Sequence, residues 1–377
     1  MSLVARLRRA VVAGAAAALA MFALGHDASS ASTPRRGAPS RPAASAPASG
    51  PAASRPAASR PIQLVQAGNS KTSCITLSLD SLPATFAATG IHFECVGTFA
   101  TSAVGWADWV KPWFTDPQYG FTRWLAASPD RRTVVIALNL IPTSLAGNPD
   151  WRARGADGRY DKYARSLAKN LVRAGFGYSV IRLGQEMNGP WEYDWVGNTV
   201  TSRHQWARFF ARIVTTMRAV PGAHFLFDWN VNAGYENIPL DEFYPGNAYV
   251  DIVGVDAYDE APIRLPPVGS PTRWQTLVTE PLGLIDLYKY ARQQGKPFSI
   301  PEWGTLSTSG DDPAYVRAMG RFVATHDVAY QAWFDNADNN ILPLDRRQAP
   351  RSLRAYVAMF GPGSAITRYQ RGFDHRS

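Results

Sequence analysis

The chain has 377 residues, 46% of them hydrophobic and 18% charged, with 39 basic residues against 30 acidic ones. Its formal charge of +9 does not mark a nucleic-acid binder, because eight arginines and a single acid fall in residues 1–62 and leave 31 basic and 29 acidic residues for the rest. The six histidines are scattered and none stands at ligand spacing from either cysteine, so no Cys/His metal framework is expected.

The N-terminus has the three parts of an export signal. Arg6, Arg8 and Arg9 precede the apolar run 11–24, which is too short to span a bilayer comfortably, and residues 28–32 supply small side chains for cleavage. Residues 1–32 therefore read as a signal peptide and the protein as secreted or periplasmic, with membrane association only where cleavage fails. Residues 33–62 repeat Pro-Ala-Ala-Ser from Pro42, Pro51 and Pro56 and offer almost nothing to bury, so they read as a disordered linker. Residues 63–377 are long enough for one large core and are read as one domain. Cys74 and Cys95 are the only two cysteines. In an exported chain they are expected to bridge, and closing such a loop is worth about 3 kcal/mol.

Further along, short apolar runs alternate with amphipathic stretches. The first strand is either IQLVQ at 62 or ITLSL at 75, followed by HFECVGTF at 92 and TVVIALNL at 133. A helical pattern from 159, RYDKYARSLAKNLVRAG, leads to YSVIRLG at 178; another from 203, RHQWARFFARIVTTMRAV, leads to AHFLFDWN at 223. VDIVGVD at 250 comes next, then a helix from 280 (EPLGLIDLYKYARQQG), PFSIPE at 297, a helix from 312 (DPAYVRAMGRFVATH) and AYQAWF at 329. Continuous apolar runs suit parallel strands buried on both faces, and eight of them alternating with helices predict an α/β fold, a (β/α)8 TIM barrel. A doubly wound open sheet fits less well, since no Gly-rich phosphate loop follows an early strand.

In such a barrel the C-terminal ends of the strands carry the chemistry. Those ends are polar and aromatic here: Gln185, Glu186 and Asn188 after the fourth strand, Trp229 and Asn230 on the fifth, Tyr258 and Asp259 after the sixth, Glu302 and Trp303 on the seventh. Glu186 and Glu302 stand 116 residues apart, a spacing compatible with three intervening βα units. A lone Glu after a strand is usually a solvated loop residue. Two of them facing across a barrel mouth among tryptophans match glycoside cleavage, in which one carboxyl protonates the leaving oxygen and the other attacks the anomeric carbon.

The segment RLGQEMNGPWEYDW, starting at Arg182, resembles the acid/base segment of glycoside hydrolase family 26, whose pattern is close to R-x-x-H-E-M-N-G-x-W. IPEWGT, starting at Ile300, resembles that family's nucleophile segment, and the resemblance extends over roughly residues 90–340. The family comprises retaining (β/α)8 enzymes best known as endo-β-1,4-mannanases. The resemblance implies Glu186 as proton donor and later base and Glu302 as nucleophile, with Asn188 and Trp191 shaping the pocket. It also implies that Tyr258 hydrogen-bonds the nucleophile and that Trp333 lies under the sugar at the cleavage point; Gln185 and Trp229 complete the expected binding set. Gln185 stands where the family has His. It can still bond a sugar hydroxyl but cannot become cationic, which bears on which sugar is bound.

The expected activity is endo-hydrolysis of a β-linked polysaccharide, β-1,4-mannan first and another β-glycan second, by a monomer without cofactor or metal. The competing readings are a carbohydrate-binding barrel without turnover and a structural envelope protein. Binding alone does not require two facing carboxyls, and a structural role leaves the polar strand ends without a purpose.

Overall fold

The architecture is that of a computed structural model, which describes residues 72–364 and 366 apart from 102, 130, 235–237, 261–264, 337–340 and 345–346. The expected signal peptide and linker lie outside the described residues. Eight parallel strands close on themselves in sequence order: β1 (Thr72–Thr76), β2 (Cys95–Phe99), β3 (Thr133–Leu138), β4 (Val180–Leu183), β5 (Leu226–Asn232), β6 (Ile252–Asp256), β7 (Phe298–Trp303) and β8 (Val328–Phe334). The chain is thus a (β/α)8 barrel.

The first strand sits between the two segments considered for it. It is TSCIT, and its five residues pair with β8 from Thr72 opposite Tyr330 to Thr76 opposite Phe334. Only Ile75 and Thr76 belong to the ITLSL run; Leu79 already starts a 3-10 turn. IQLVQ lies outside the described residues. Because Ile75 pairs with Val96, one step back brings Cys74 beside Cys95, and the two form a disulfide with their Cα atoms 4.5 Å apart. Both are buried inside the barrel with Val135, Val180, Leu226, Ile252, Tyr330 and Ala332.

The four amphipathic patterns form helices at Asp161–Arg173, Val200–Arg218, Leu284–Gln293 and Pro313–Thr325. The second starts earlier than its apolar periodicity suggests because Thr199 caps it: Thr199 Oγ1 accepts the Ser202 N–H at 3.0 Å while Ser202 Oγ accepts the Thr199 N–H at 3.2 Å. A further helix, Pro350–Phe360, covers the outside of β7 and β8 through Tyr356 and Phe360.

Strand side chains alternate between the barrel interior and the helix layer. On β5, Asp228 and Asn230 point inward to Tyr330 and Arg182, and Trp229 between them points outward. On β8, Tyr330 and Ala332 point inward and Trp333 outward, against Tyr356. This alternation decides which strand-end aromatics can reach a ligand.

Candidate active site

The site is organised around Arg182, an inward residue of β4 that is only 2% exposed. Its Nη1 donates to Glu302 Oε1 at 2.6 Å, Nη2 to Asp256 Oδ2 at 2.5 Å and Nε to Asn230 Oδ1 at 3.1 Å, so one guanidinium ties β4 to β5, β6 and β7. Burial opposes its charge, but Asp256 and Glu302 outweigh burial and hold it above the usual arginine range. Glu302 takes a second bond on its other oxygen from the Tyr258 hydroxyl at 2.7 Å. Burial and then the Glu302 charge push that hydroxyl well above the usual tyrosine range, so it stays a donor.

Glu186 reaches the same space from the turn after β4. Gly184 adopts φ 61°, and a Cβ there would lie 2.5 Å from Leu140 Cδ1 and 2.6 Å from Trp206 Cζ2. Glu186 itself has φ 51°, a left-handed conformation rare outside glycine and a form of strain that functional residues carry. Its N–H donates to the Asn230 carbonyl at 3.0 Å, which anchors the turn to β5. The carboxylate accepts from Trp191 Nε1 and Asn232 Nδ2, each at 2.7 Å. Burial and then the Glu302 charge nevertheless raise its pKa to about 7, against the pull of Asn232 and Trp191.

A carboxylate oxygen from each of Glu186, Asp256 and Glu302 falls within 4.8 Å of the other two. Such closeness can also hold a cation. Here Arg182 already supplies positive charge to Asp256 and Glu302.

Of the residues named from the sequence, Glu186, Glu302, Trp191 and Tyr258 converge directly. Asn188 acts one step away: its amide brackets the backbone of Asn232, donating to the carbonyl at 2.9 Å and accepting the N–H at 2.8 Å, and thereby aims Asn232 at Glu186. Gln185 is 3% exposed, and its Oε1 meets no hydrogen-bond partner among the described residues.

Two expectations are corrected. Trp333 does not face the cleft; it is fully buried in the helix layer, with ring centroids 4.9 Å from Trp303 and 5.5 Å from Tyr356. Trp229 is likewise buried outside the barrel, against Phe243 at 5.2 Å and Tyr244 at 5.3 Å. Both sit one residue out of phase with the inward set. The strand-eight aromatic grouped with Tyr258 is the next residue, Phe334, with its ring 6.4 Å from Tyr258 and 5.6 Å from Phe99.

Residues 159–266 match the sequence profile of glycosyl hydrolase family 26. The family resemblance holds there. The family 26 match takes in Glu186, Trp191 and Tyr258 and ends before Glu302. Among curated proteins the chain is similar to endoglucanase H of Acetivibrio thermocellus, 23% identical over 219 residues; that alignment covers 55% of this chain and 23% of the relative's length. The barrel is similar in fold to a modular endo-β-1,4-mannanase of Cellulomonas fimi (17% identity, TM-score 0.58), over 81% of this chain and 74% of the other. It is also similar to a family 26 β-mannanase of Bacteroides ovatus (12% identity, TM-score 0.56), over 81% of this chain and 91% of that one.

Proposed function

We propose that this protein is a retaining glycoside hydrolase that cleaves within a β-linked polysaccharide, with β-1,4-mannan as the first candidate substrate. The observation that carries the reading is the approach of the Glu186 and Glu302 carboxylates to within 4.8 Å. Direct attack by a carboxylate needs a separation of about 5 Å, whereas activating a water between the two needs roughly 6.5 to 9.5 Å.

The environments divide the roles. Glu186, with a pKa of about 7, is protonated in about half of the molecules at neutral pH and can deliver that proton to the leaving oxygen. Glu302 is held on both oxygens, by the Arg182 guanidinium and the Tyr258 hydroxyl, and so is aimed, as an attacking group must be. Once Glu302 holds the sugar covalently its charge is gone, the Glu186 pKa falls, and Glu186 can take a proton from the water that releases the product. A barrel that only bound sugars would have no use for two carboxyls with such different surroundings.

Mannan comes first because the structural neighbours of this fold include mannanases. Gln185 in place of the family histidine and the outward-facing Trp333 favour a second reading on the same site, another β-glycan such as glucan, xylan or a bacterial exopolysaccharide. The signal-like N-terminus and the Cys74–Cys95 bridge support export, and the near-neutral remainder of the chain argues against a nucleic-acid partner. Proton NMR of a digest of mannan, glucan or xylan tests the mechanism. The β-anomer is expected to appear first, and first appearance of the α-anomer would reassign the pair as an acid and a water-activating base.

A further inference from the structure

The loop after β4 carries a further acid, Glu192, for which the reaction above has no use. Side chains along this loop point in different directions. Trp191 turns to Glu186, and the Tyr193 hydroxyl turns to the carbonyls of Thr101 and Ile141 at 3.2 and 3.1 Å. Glu192 and Asp194 both turn to Asn139 at the end of β3, whose Nδ2 donates to Glu192 Oε2 at 3.0 Å and to Asp194 Oδ1 at 2.6 Å. Asp194 is consumed within the protein, since its other oxygen accepts the Leu140 N–H at 2.5 Å and it is 1% exposed. Glu192 is not. It is half-buried, and among the described residues only its Oε2 is bonded, so Oε1 is left open. Its neighbour Trp191 is bonded to Glu186 and its own partner Asn139 follows β3, which puts it at the same barrel mouth, on the β3 side, while Asn232 flanks Glu186 from β5.

We infer that Glu192 is a substrate-binding residue that selects an uncharged sugar: pinned by Asn139, it hydrogen-bonds a hydroxyl of the sugar unit adjoining the cleavage point on the β3 side and keeps carboxylated sugars out of that position. The inference rests on the hydrolase reading and names its substrate class. Three features carry it. The Asn139 bond fixes the side chain before substrate arrives, so little rotamer freedom remains to be lost on binding. Burial and then the charges of Asp194 and Glu186 push the carboxyl well above the usual range, and surroundings that oppose charge on Glu192 oppose it equally on a carboxylated sugar beside it. A uronate placed there meets Glu186, Glu192 and Glu302, and the nearby arginines are engaged: Arg182 by Asp256 and Glu302, Arg152 by the Trp195 carbonyl. An anion taken from water into a partly dry cleft whose arginines are already engaged is disfavoured, which selects for the neutral sugar.

The test compares β-1,4-mannohexaose and cellohexaose, both neutral, with β-1,4-linked hexamannuronate, which differs from the first by its carboxylates. Binding is measured by calorimetry to the protein carrying Glu302→Ala, and turnover in protein that retains Glu302. Adding Glu192→Ala is expected to weaken binding of the better neutral hexaose by about 3- to 10-fold, the loss of one hydrogen bond, with KM rising by more than kcat falls. Glu192→Gln, which can still bond Asn139 and the hydroxyl, is expected to recover most of that loss; hexamannuronate is expected to bind the parent more weakly than mannohexaose, and Glu192→Ala to narrow that difference. An unchanged dissociation constant in Glu192→Ala overturns the inference, as does a fall in kcat and Tm with binding intact, which would make Glu192 a loop brace. Failure of both neutral hexaoses to bind the parent also overturns it. Binding with the expected Glu192 dependence but no turnover by the wild type leaves the inference standing and removes the hydrolase reading.

Discussion

Arg182 Nη1 lies 2.6 Å from Glu302 Oε1 in the barrel interior, with side-chain exposures of 3% and 8%. A guanidinium so placed orients the Glu302 carboxylate, and its second arm does the same for Asp256. Removing it strands two buried acids.

Arg182→Met should therefore damage stability and chemistry together. Breaking a buried ion pair by deleting one partner typically costs about 3 to 5 kcal/mol, and the barrel strands β6 and β7 lose a shared tie. Urea unfolding of the variant is expected to show a loss of that order, and kcat to fall because Glu302 loses the bond that orients it. Wild-type stability in the variant would mean that Asp256 and Glu302 re-pair by another route.

The legible and illegible parts of this site separate along one physical line. Glu186, Glu302, Tyr258 and Trp191 were readable because each stands at a strand end in a motif with a chemical purpose, and the alternation of apolar runs was enough to foresee the barrel. Trp229 and Trp333 were misplaced because type and position along the chain say nothing about phase: a strand-end residue faces the mouth or the helices according to register, and one step reverses it. Phe334 was hidden for the same reason. Arg182, Asn232 and Asp256 lay in plain view within or beside the quoted segments, yet their roles come from pairs such as Arg182–Asp256, 74 residues apart, which only the closed barrel brings together. The strand β1 was offset because TSCIT has little apolar character of its own and is fixed by pairing with β8.

That correction makes its own prediction. Trp333→Ala opens a void between Trp303 and Tyr356, and truncating a buried Trp costs about 3 to 5 kcal/mol. The thermal midpoint should fall steeply, while KM in the surviving folded protein changes little. Phe334→Ala, also a truncation of a buried ring, should lose stability as well but, unlike Trp333→Ala, should raise KM clearly. A large KM effect for Trp333→Ala at unchanged stability would return that residue to the cleft.

The pH profile should report Glu186. It must be protonated to act as the acid, so kcat/KM is expected to decline on the alkaline side with a midpoint near its pKa of about 7. Trp191 and Asn232 both donate to the carboxylate and so favour its charged form. Trp191→Phe or Asn232→Ala removes one such donor, the pKa rises, and the alkaline limb moves to higher pH. The sign carries over to stability. A carboxyl whose folded pKa is raised contributes stability that is present at low pH and lost as the pH climbs from its unfolded value through about 7, so Glu186→Gln should be more stable than wild type at pH 8 and no more stable at pH 4. An alkaline limb that does not move in either donor variant would assign the titration to another group.

The division of labour between the two glutamates is separable by chemical rescue. Glu302→Ala removes the attacking group, and turnover of every substrate is expected to fall by several orders of magnitude. Azide or formate fits the vacated space and can attack the anomeric carbon from the face Glu302 used, so activity should return and the glycosyl azide should have inverted configuration. Glu186→Ala leaves that attack intact and removes only the proton. Substrates that leave without one, such as dinitrophenyl glycosides, should still form the glycosyl-enzyme, with slow release because no base activates the water. Azide needs no base, so it should speed that release and give a product of retained configuration. The two configurations must differ between the two variants. The same azide product from both would mean that Glu302 is not the nucleophile, and the Arg182 and Tyr258 contacts would then have to be explained as holding a base in place.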